Sequence, residues 1–546
     1  KGDAADSDDA GAPVPVALPL VGRISEDRDI DDIAGVFPTQ LADDIEAATG
    51  LRWDIASDVM VAGLPAPNAA IAHPVPPHAS CWKSFITLDS TPHPWSPQEY
   101  RLTIARSGID VVGGDTEGVR NGVQTLRQII RQARGAASLV IADKPAYKVR
   151  GYYLDATRGR VPTLDWLKTW ADRLCLYKYN QLQLYIEHTF MFDDLSETWR
   201  GTSPLKPADI IAFDEYCARL GIELVPSVST FGHQYMAMRT RELRHLGEFP
   251  EDADRRYGFV ERQRHHTLNI TEPESLAFSF KLIGYMQLFR TRKFNICGDE
   301  TFDLGRGRSK PEAERRGVAA MYADFVSQLC RHLSERGRDP MFWGDIAVEM
   351  PQILGLLPDN VTLLNWLYAP GIGEDKVRLV AQAGPRRRVL GGVVLDALLP
   401  RLDDSWNNIS RLARYGVKYG AVGYLVTDWG DYGHVNDPRM AVSGMIFGAQ
   451  CAWNPMAHIQ GEAGCGDGEE GSAAGYADAA ADEEDVLALP LLVGEPVAER
   501  GAHADLVAGI ELVEGGGVFA GLHHGELEVI IRVGEELITK VDSPTP

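Results

Sequence analysis

The sequence predicts an α/β chain built on a (β/α)8 TIM barrel, with a small α+β domain before it and a C-terminal appendage after it. Three observations predict this. Eight short apolar runs recur between about residues 146 and 455. Helical patterns lie between most of them, so strand and helix alternate along the chain. No GxGxxG or P-loop follows any run, which weighs against an open nucleotide-binding sheet. The 546 residues are 45% hydrophobic and 24% charged, an ordinary globular composition, and the length requires more than one domain.

Taken in order, residues 1–15 (KGDAADSDDAGAPVP) are acidic and polar and are expected to be disordered. Residues 16–145 form the α+β domain. Its sequence predicts a strand at Tyr100 to Ala105, a turn at Ser107-Gly108 and a strand at Ile109 to Val112. A helix opened by Asp115 and Thr116 follows, with Val119, Val123, Leu126, Ile129 and Ile130 on one face. Nothing in this domain suggests chemistry. The barrel, residues 146–455, takes its strands from VRGYYLDATR, NQLQLYIE, GIELVPSV, KFNICGDE, PMFWGDI, VTLLNWLY, VLGGVVLD and GAVGYLVTDWGD. Residues 456–546 begin as an acidic Gly/Ala-rich linker. They end in alternating patterns such as GELEVIIRVGEELITKV, which suit a small β-rich unit.

The net charge of −23 disfavours nucleic acid and anionic membranes as partners. Seven scattered cysteines without a CxxC pair argue against a disulfide framework and a zinc site, and reduced thiols point to the cytoplasm. No apolar run reaches the length of a membrane helix, and the N-terminus has no signal-peptide pattern. The chain does not begin with Met, which leaves room for a cleaved leader. A metal-dependent barrel hydrolase would need an HxH near the first strand. None occurs there, and His265-His266 lies in a polar connection, so no metal and no cofactor are expected.

Barrel enzymes place their active sites where the strands end. Here the first strand ends in Asp155 and Arg158, and the second in Glu187 and His188. The third leads to His233, and the fourth ends in Asp299 and Glu300. The fifth carries Trp343 and Asp345, and the sixth Trp366 and Tyr368. The seventh leads to Trp406. The eighth ends in Asp428, Trp429, Asp431 and His434. Aromatic faces stack on the C–H faces of sugars and carboxylates bind hydroxyls, so this set suits a neutral carbohydrate. A phosphorylated ligand would want more Arg and Lys. Singly, each Trp is as much a core residue as a ligand contact, each Asp is more often a cap, and Arg158 could simply pair with Asp155. The argument rests on their coincidence at one end of one barrel.

The adjacent carboxylates of NICGDE resemble the signature of the family 20 glycoside hydrolases, the β-N-acetylhexosaminidases. KPAYKVRGYYLDATRGRVP, LYKYNQLQLYIEHTF and YCARLGIELVPSVSTFGH resemble that family's first three barrel strands. EYRLTI and GVRNGVQTLRQI resemble its preceding domain. The resemblance runs from about residue 98 to 453. It implies exo-acting release of terminal β-linked N-acetylglucosamine or N-acetylgalactosamine by a retaining, substrate-assisted route through an oxazolinium. The implied partner is an N-acetylhexosamine-containing oligosaccharide or glycoconjugate. By resemblance, Glu300 is the general acid and then the base. Asp299 holds the substrate's acetamide. Arg158 binds outer hydroxyls, and Trp343, Trp366 and Trp429 wall the pocket. Tyr368 and Asp431 hydrogen-bond the sugar, and Glu187 and His233 tune the acid; Trp406 is expected to line the pocket in place of the family's strand-seven residues.

The chain departs from the family pattern in four places. It has Cys297-Gly298 before the acidic pair, and Ser229 where many members carry an Asp that relays to the acid. It has Glu187-His188 where many have Asp-Asp, and Glu187 is expected to take over. The usual strand-seven Tyr and Asp are not placed. The alternative reading is a carbohydrate-binding protein on a retired hydrolase scaffold, but sugar binding alone would not need Glu300.

Overall fold

The computed structural model describes residues 36–50, 93–105, 108–132, 135–137, 139–382, 388–395 and 401–456. It also describes strand segments at 15–17, 23–26, 54–56 and 85–89, and several between 506 and 540. The expected disorder at the N-terminus and most of the acidic linker lie outside the described residues. The described chain forms two compact units, one holding residues 1–144 and the other beginning at Pro145.

In the first unit a six-stranded mixed sheet carries strands Tyr100–Ala105 and Gly108–Gly113, paired antiparallel. Gly108 opens its strand, where the sequence suggested that it belongs to the turn. The helix Thr116–Gln132 starts as expected: the Asp115 carboxylate accepts the Gly118 N–H at 2.7 Å. Its apolar face, including Val119, Val123 and Leu126, is buried. A second helix, Val36–Thr49, is tied to it by the buried pair Asp44–Arg127 at 2.7 Å.

In the second unit the eight apolar runs form a closed parallel barrel: β1 (Val149–Asp155), β2 (Gln181–Ile186), β3 (Glu223–Val228), β4 (Lys293–Asn295), β5 (Asp339–Trp343), β6 (Thr362–Trp366), β7 (Arg388–Leu395) and β8 (Gly423–Asp428). β8 closes on β1, with Gly423 opposite Val149. Parallel strands covered by helices are buried on both faces, which is why these runs read as continuous apolar stretches. Helix α1 (Leu164–Leu176) follows β1, α2 (Pro207–Arg219) follows β2, α3 (Pro273–Ile283) follows β3 and α4 (Val318–Ser334) follows β4. α5 (Asp375–Gln382), α6 (Leu402–Lys418) and α7 (Val442–Trp453) follow β6, β7 and β8.

Two departures from a regular alternation position the site. After β5 the helix is only Asp345–Glu349, so its first residue stays at the strand end. After β3 a long connection runs to α3, with only short helical turns in it. The barrel core gathers Tyr153, Tyr185, Cys297, Trp343, Leu364, Leu425 and Trp429. Near the C-terminus, Gly516–His523, Glu526–Val533 and Glu536–Lys540 form a three-stranded antiparallel sheet.

Candidate active site

The site is built around the chain's exit from β4. Cys297, Gly298 and Glu300 have φ of 60°, 76° and 47°. A left-handed conformation is cheap for Gly298 and costs the other two, so the surroundings must enforce it. Several hydrogen bonds do so. The Asn295 side chain accepts the Cys297 N–H at 2.9 Å. Trp343 N–H donates to the Cys297 carbonyl at 2.9 Å, and the Tyr322 hydroxyl to the Gly298 carbonyl at 2.7 Å. Asp345, at the strand end kept open by its short helix, accepts the Glu300 N–H at 3.2 Å. Gly232 brings the β3 loop against this exit. A Cβ there would lie 2.5 Å from the Asp299 carbonyl oxygen, so only glycine fits.

This packing places His233 against both carboxylates. Its Nε2 lies 3.4 Å from Glu300 Oε2 and 3.7 Å from Asp299 Oδ2. Burial raises the pKa of Glu300, His233 opposes that shift and the Asp299 charge adds to it; the net is upward. For His233, burial pulls the pKa down, but Asp299 and Glu300 together hold it above 6.5. Asp345 is part-buried and its pKa is pushed well up, first by burial and then by the Asp299 charge. Asp299 itself is 7% exposed, and its Oδ1 has no hydrogen-bond partner among the described residues. A buried carboxylate oxygen without a donor is costly, and a site that binds an N–H explains it.

A second cluster lies at the ends of β1, β2 and β8. Arg158 donates from Nε to Glu187 Oε1 at 3.1 Å and from Nη1 to Asp431 Oδ1 at 2.7 Å. Asp155 is farther from the guanidinium, at 3.8 Å, so the simple Asp155 pair is not its main contact. Asp155 instead ties two loops together, accepting the backbone N–H groups of Arg158 and Gly430, each at 3.0 Å. The Tyr185 hydroxyl donates to Glu187 at 3.0 Å. Tyr185 and Trp429 each present a ring 5.3 Å from the Arg158 guanidinium.

The aromatic residues divide. Trp343, Trp429, Tyr153 and Tyr185 pack together, with Trp343–Trp429 centroids 5.9 Å apart. Trp366 stacks obliquely on Tyr368 at 5.0 Å, and Trp429 Nε1 donates to the Tyr368 hydroxyl at 2.7 Å. Trp343 is 0% exposed and is packed edge-on against Tyr153, so its ring is covered by the cluster. Trp406 lies elsewhere. It sits on α6 with its ring 5.1 Å from Phe447 of α7, a helix–helix contact and not part of this cluster. The reason is helical phase: α6 begins at Leu402, and that places Trp406 on the side facing α7.

Ser229 does not stand in for a relay. Its hydroxyl donates to the Gly232 carbonyl at 3.0 Å, bracing the loop, and His233 Nδ1 has no partner among the described residues. His434 contacts Arg160 at 2.9 Å and packs against Gly430. Sequence reasoning placed Asp345 at a strand end without a role, and left Tyr153 and Tyr185 out of the site. The alternation in LQLYIE puts Tyr185 on the same strand face as Glu187, whereas GYYLD carries no such alternation to single out Tyr153. No three His, Cys, Asp or Glu side chains among the described residues gather to hold a metal ion.

Comparison with known families bears on this arrangement directly. Residues 39–144 match the model for glycosyl hydrolase family 20, domain 2, and residues 147–386 match the model for the glycosyl hydrolase family 20 catalytic domain. The chain belongs to glycosyl hydrolase family 20. Family 20 relatives include a lacto-N-biosidase of Bifidobacterium bifidum, 24% identical over 54% of this chain and 26% of that protein. Another is β-hexosaminidase B of Pseudoalteromonas piscicida, 22% identical over 48% of this chain and 41% of its own length. The chain thus spans about a quarter to two-fifths of these two curated relatives. Among solved family 20 structures, the N-acetyl-β-hexosaminidase of Streptomyces plicatus superposes with a TM-score of 0.62 at 18% identity, covering 81% of this chain and 88% of that one. The β-N-acetylhexosaminidase of Bacteroides fragilis gives 0.61 at 16% identity, over 87% and 92%.

Proposed function

We propose that this family 20 chain is an exo-acting β-N-acetylhexosaminidase that removes terminal β-linked N-acetylglucosamine or N-acetylgalactosamine with retention. The observation that supports it most is the pair at the end of β4: Asp299 with a buried, unpartnered oxygen, beside Glu300 with a raised pKa. The two carboxylates then have different work. Protonated Glu300 gives its proton to the glycosidic oxygen as that bond breaks. The substrate's acetamide oxygen attacks the anomeric carbon, forming an oxazolinium. Asp299 accepts the acetamide N–H and offsets the positive charge that develops there. The Glu300 carboxylate next takes a proton from water, which opens the oxazolinium at the anomeric carbon and restores the acetamide.

His233 sits within ion-pair reach of both carboxylates. It steadies Glu300 while that group is ionised between the two half-reactions. Arg158, fixed by Glu187 and Asp431, faces the sugar's outer hydroxyls. Intramolecular attack replaces a bimolecular step, which accounts for the lack of a separate protein nucleophile.

The test is hydrolysis of nitrophenyl β-N-acetylglucosaminide, with strong inhibition by a thiazoline analogue of the oxazoline. Glu300→Gln should lose turnover of substrates with poor leaving groups. Sugar binding without turnover across several β-hexosaminides would favour the binding-protein alternative.

A further inference from the structure

A further carboxyl group joins the pair where β4 and β5 end. Asp345 Oδ2 accepts the Glu300 N–H at 3.2 Å. That N–H belongs to the peptide joining Asp299 to Glu300, so one contact bears on both acids. Two features of the chain bring Asp345 there. The Gly344 N–H donates to the Leu364 carbonyl at 2.7 Å, which ties the end of β5 to β6. The helix that begins at Asp345 stops at Glu349. Glu300 has φ of 47°, a conformation that an L residue keeps only when its surroundings enforce it. The bond from Asp345 acts on that residue's own N–H.

The charges around Asp345 are of one sign. Asp299 and Glu300 face it from the β4 exit, and the Tyr322 hydroxyl faces it from α4. No ion pair engages it among the described residues, and its Oδ1 is buried without a hydrogen-bond partner. Burial raises its pKa and the Asp299 charge raises it further; the Glu300 N–H opposes, and the Glu300 charge adds. The cation of the cluster, His233, lies against the other two acids, 3.4 Å from Glu300 and 3.7 Å from Asp299. Neighbouring carboxyl groups that share one cation cannot all ionise. A charge on Asp345 would favour protonation of Asp299, and a protonated Asp299 cannot offset the charge of an oxazolinium. A neutral Asp345 avoids that conflict, and its carbonyl oxygen still accepts an N–H.

We propose that Asp345 is a positioning residue of the catalytic pair: as a neutral carboxylic acid it fixes the backbone of Glu300 and leaves Asp299 the anion that meets the developing oxazolinium. This rests on the hexosaminidase reading and deepens it.

The experiment measures kcat and KM against pH for the wild type, Asp345→Ala and Asp345→Asn. The substrates are nitrophenyl β-N-acetylglucosaminide and a disaccharide with N-acetylglucosamine at its non-reducing end, whose leaving group needs the proton more. Asp345→Ala removes the acceptor of the Glu300 N–H. It should lower kcat on the disaccharide by roughly tenfold with KM within about twofold, and lower kcat less on the nitrophenyl glycoside. General destabilisation would not produce that split. Asp345→Asn keeps an acceptor and stays neutral, so it should recover part of the loss and leave the alkaline limb of kcat/KM in place. Were Asp345 ionised, removing its charge would lower the pKa of Glu300. A limb moved by about half a unit or more to lower pH would therefore overturn the neutral acid. A disaccharide kcat within about twofold of wild type in Asp345→Ala would overturn the positioning role. Failure of the wild type to hydrolyse either substrate would instead remove the hexosaminidase reading. Should the Ala variant misfold, the infrared difference between wild type and Asp345→Asn at neutral pH decides. It should show the C=O stretch of a carboxylic acid, and a carboxylate band in its place would overturn the proposal.

Discussion

At the scale of single residues, the account assigns distinct tasks to neighbouring groups. Glu300→Gln should lower kcat on a substrate with a poor leaving group by roughly 10²–10⁴, since general acid catalysis contributes about that much. His233 supplies a sharper test through pH. On the proposed mechanism activity needs Glu300 protonated, so it should fall as pH rises through that group's pKa. The His233 cation holds this pKa down against burial. His233→Gln should therefore move the alkaline limb of kcat/KM to higher pH, and a limb that moves to lower pH would contradict the assignment. Asp299 and Glu300 were legible because two adjacent acids at a strand end are unusual. Asp345 was read as a strand-end residue, but its hydrogen bond to the Glu300 N–H depends on two strands meeting in space.

At the scale of elements, the turns that shape the site are predicted to be more fragile than the strands. Gly232→Ala should abolish most activity, because a Cβ 2.5 Å from the Asp299 carbonyl forces the β4 exit to shift. Circular dichroism of that variant should still show a folded barrel. At the end of β8, Asp428 is fully buried and its pKa is pushed up to about 7, first by burial, with the Tyr152 hydrogen bond and Arg160 opposing and Asp155 adding. Its unfolded value is about 3.9. A raised folded-state pKa means that the proton stabilises the folded form. That contribution is full below about pH 4 and is lost as pH rises through about 7. Asp428→Asn keeps an acceptor for Tyr152 and removes the titration. Its Tm relative to wild type should be more favourable at pH 8 than at pH 5, and a difference independent of pH would refute the reasoning. All eight strands were readable, because parallel barrel strands are apolar throughout. The shortened helix after β5, Asp345–Glu349, was not, since the largely apolar stretch DIAVEMPQILGLL gives no periodicity that separates a short helix from a longer one. Trp406 was misplaced because its number of residues beyond β7 says little about which side of α6 it occupies.

At the scale of the whole molecule, the acidic pair, His233 and the Arg158 network all lie where the strands of one closed barrel end. Strand alternation and terminal residues together were enough to locate that end from the sequence. What the sequence could not supply was which aromatic residues face a ligand. Trp343, Trp366 and Trp429 look alike as strand-end tryptophans, yet Trp343 and Trp429 are buried in one cluster and Trp366 is only partly buried against it. The central claim is that the sugar's own acetamide attacks the anomeric carbon while the protein steers it and donates a proton. The most direct measurement is kcat/KM on aryl β-glucosaminides whose N-acyl group is acetyl, fluoroacetyl, difluoroacetyl or trifluoroacetyl. Each fluorine withdraws electrons from the carbonyl oxygen, so the account predicts a steep, progressive fall in rate across the series. A rate that does not change with fluorination would show that the acetamide is not the nucleophile.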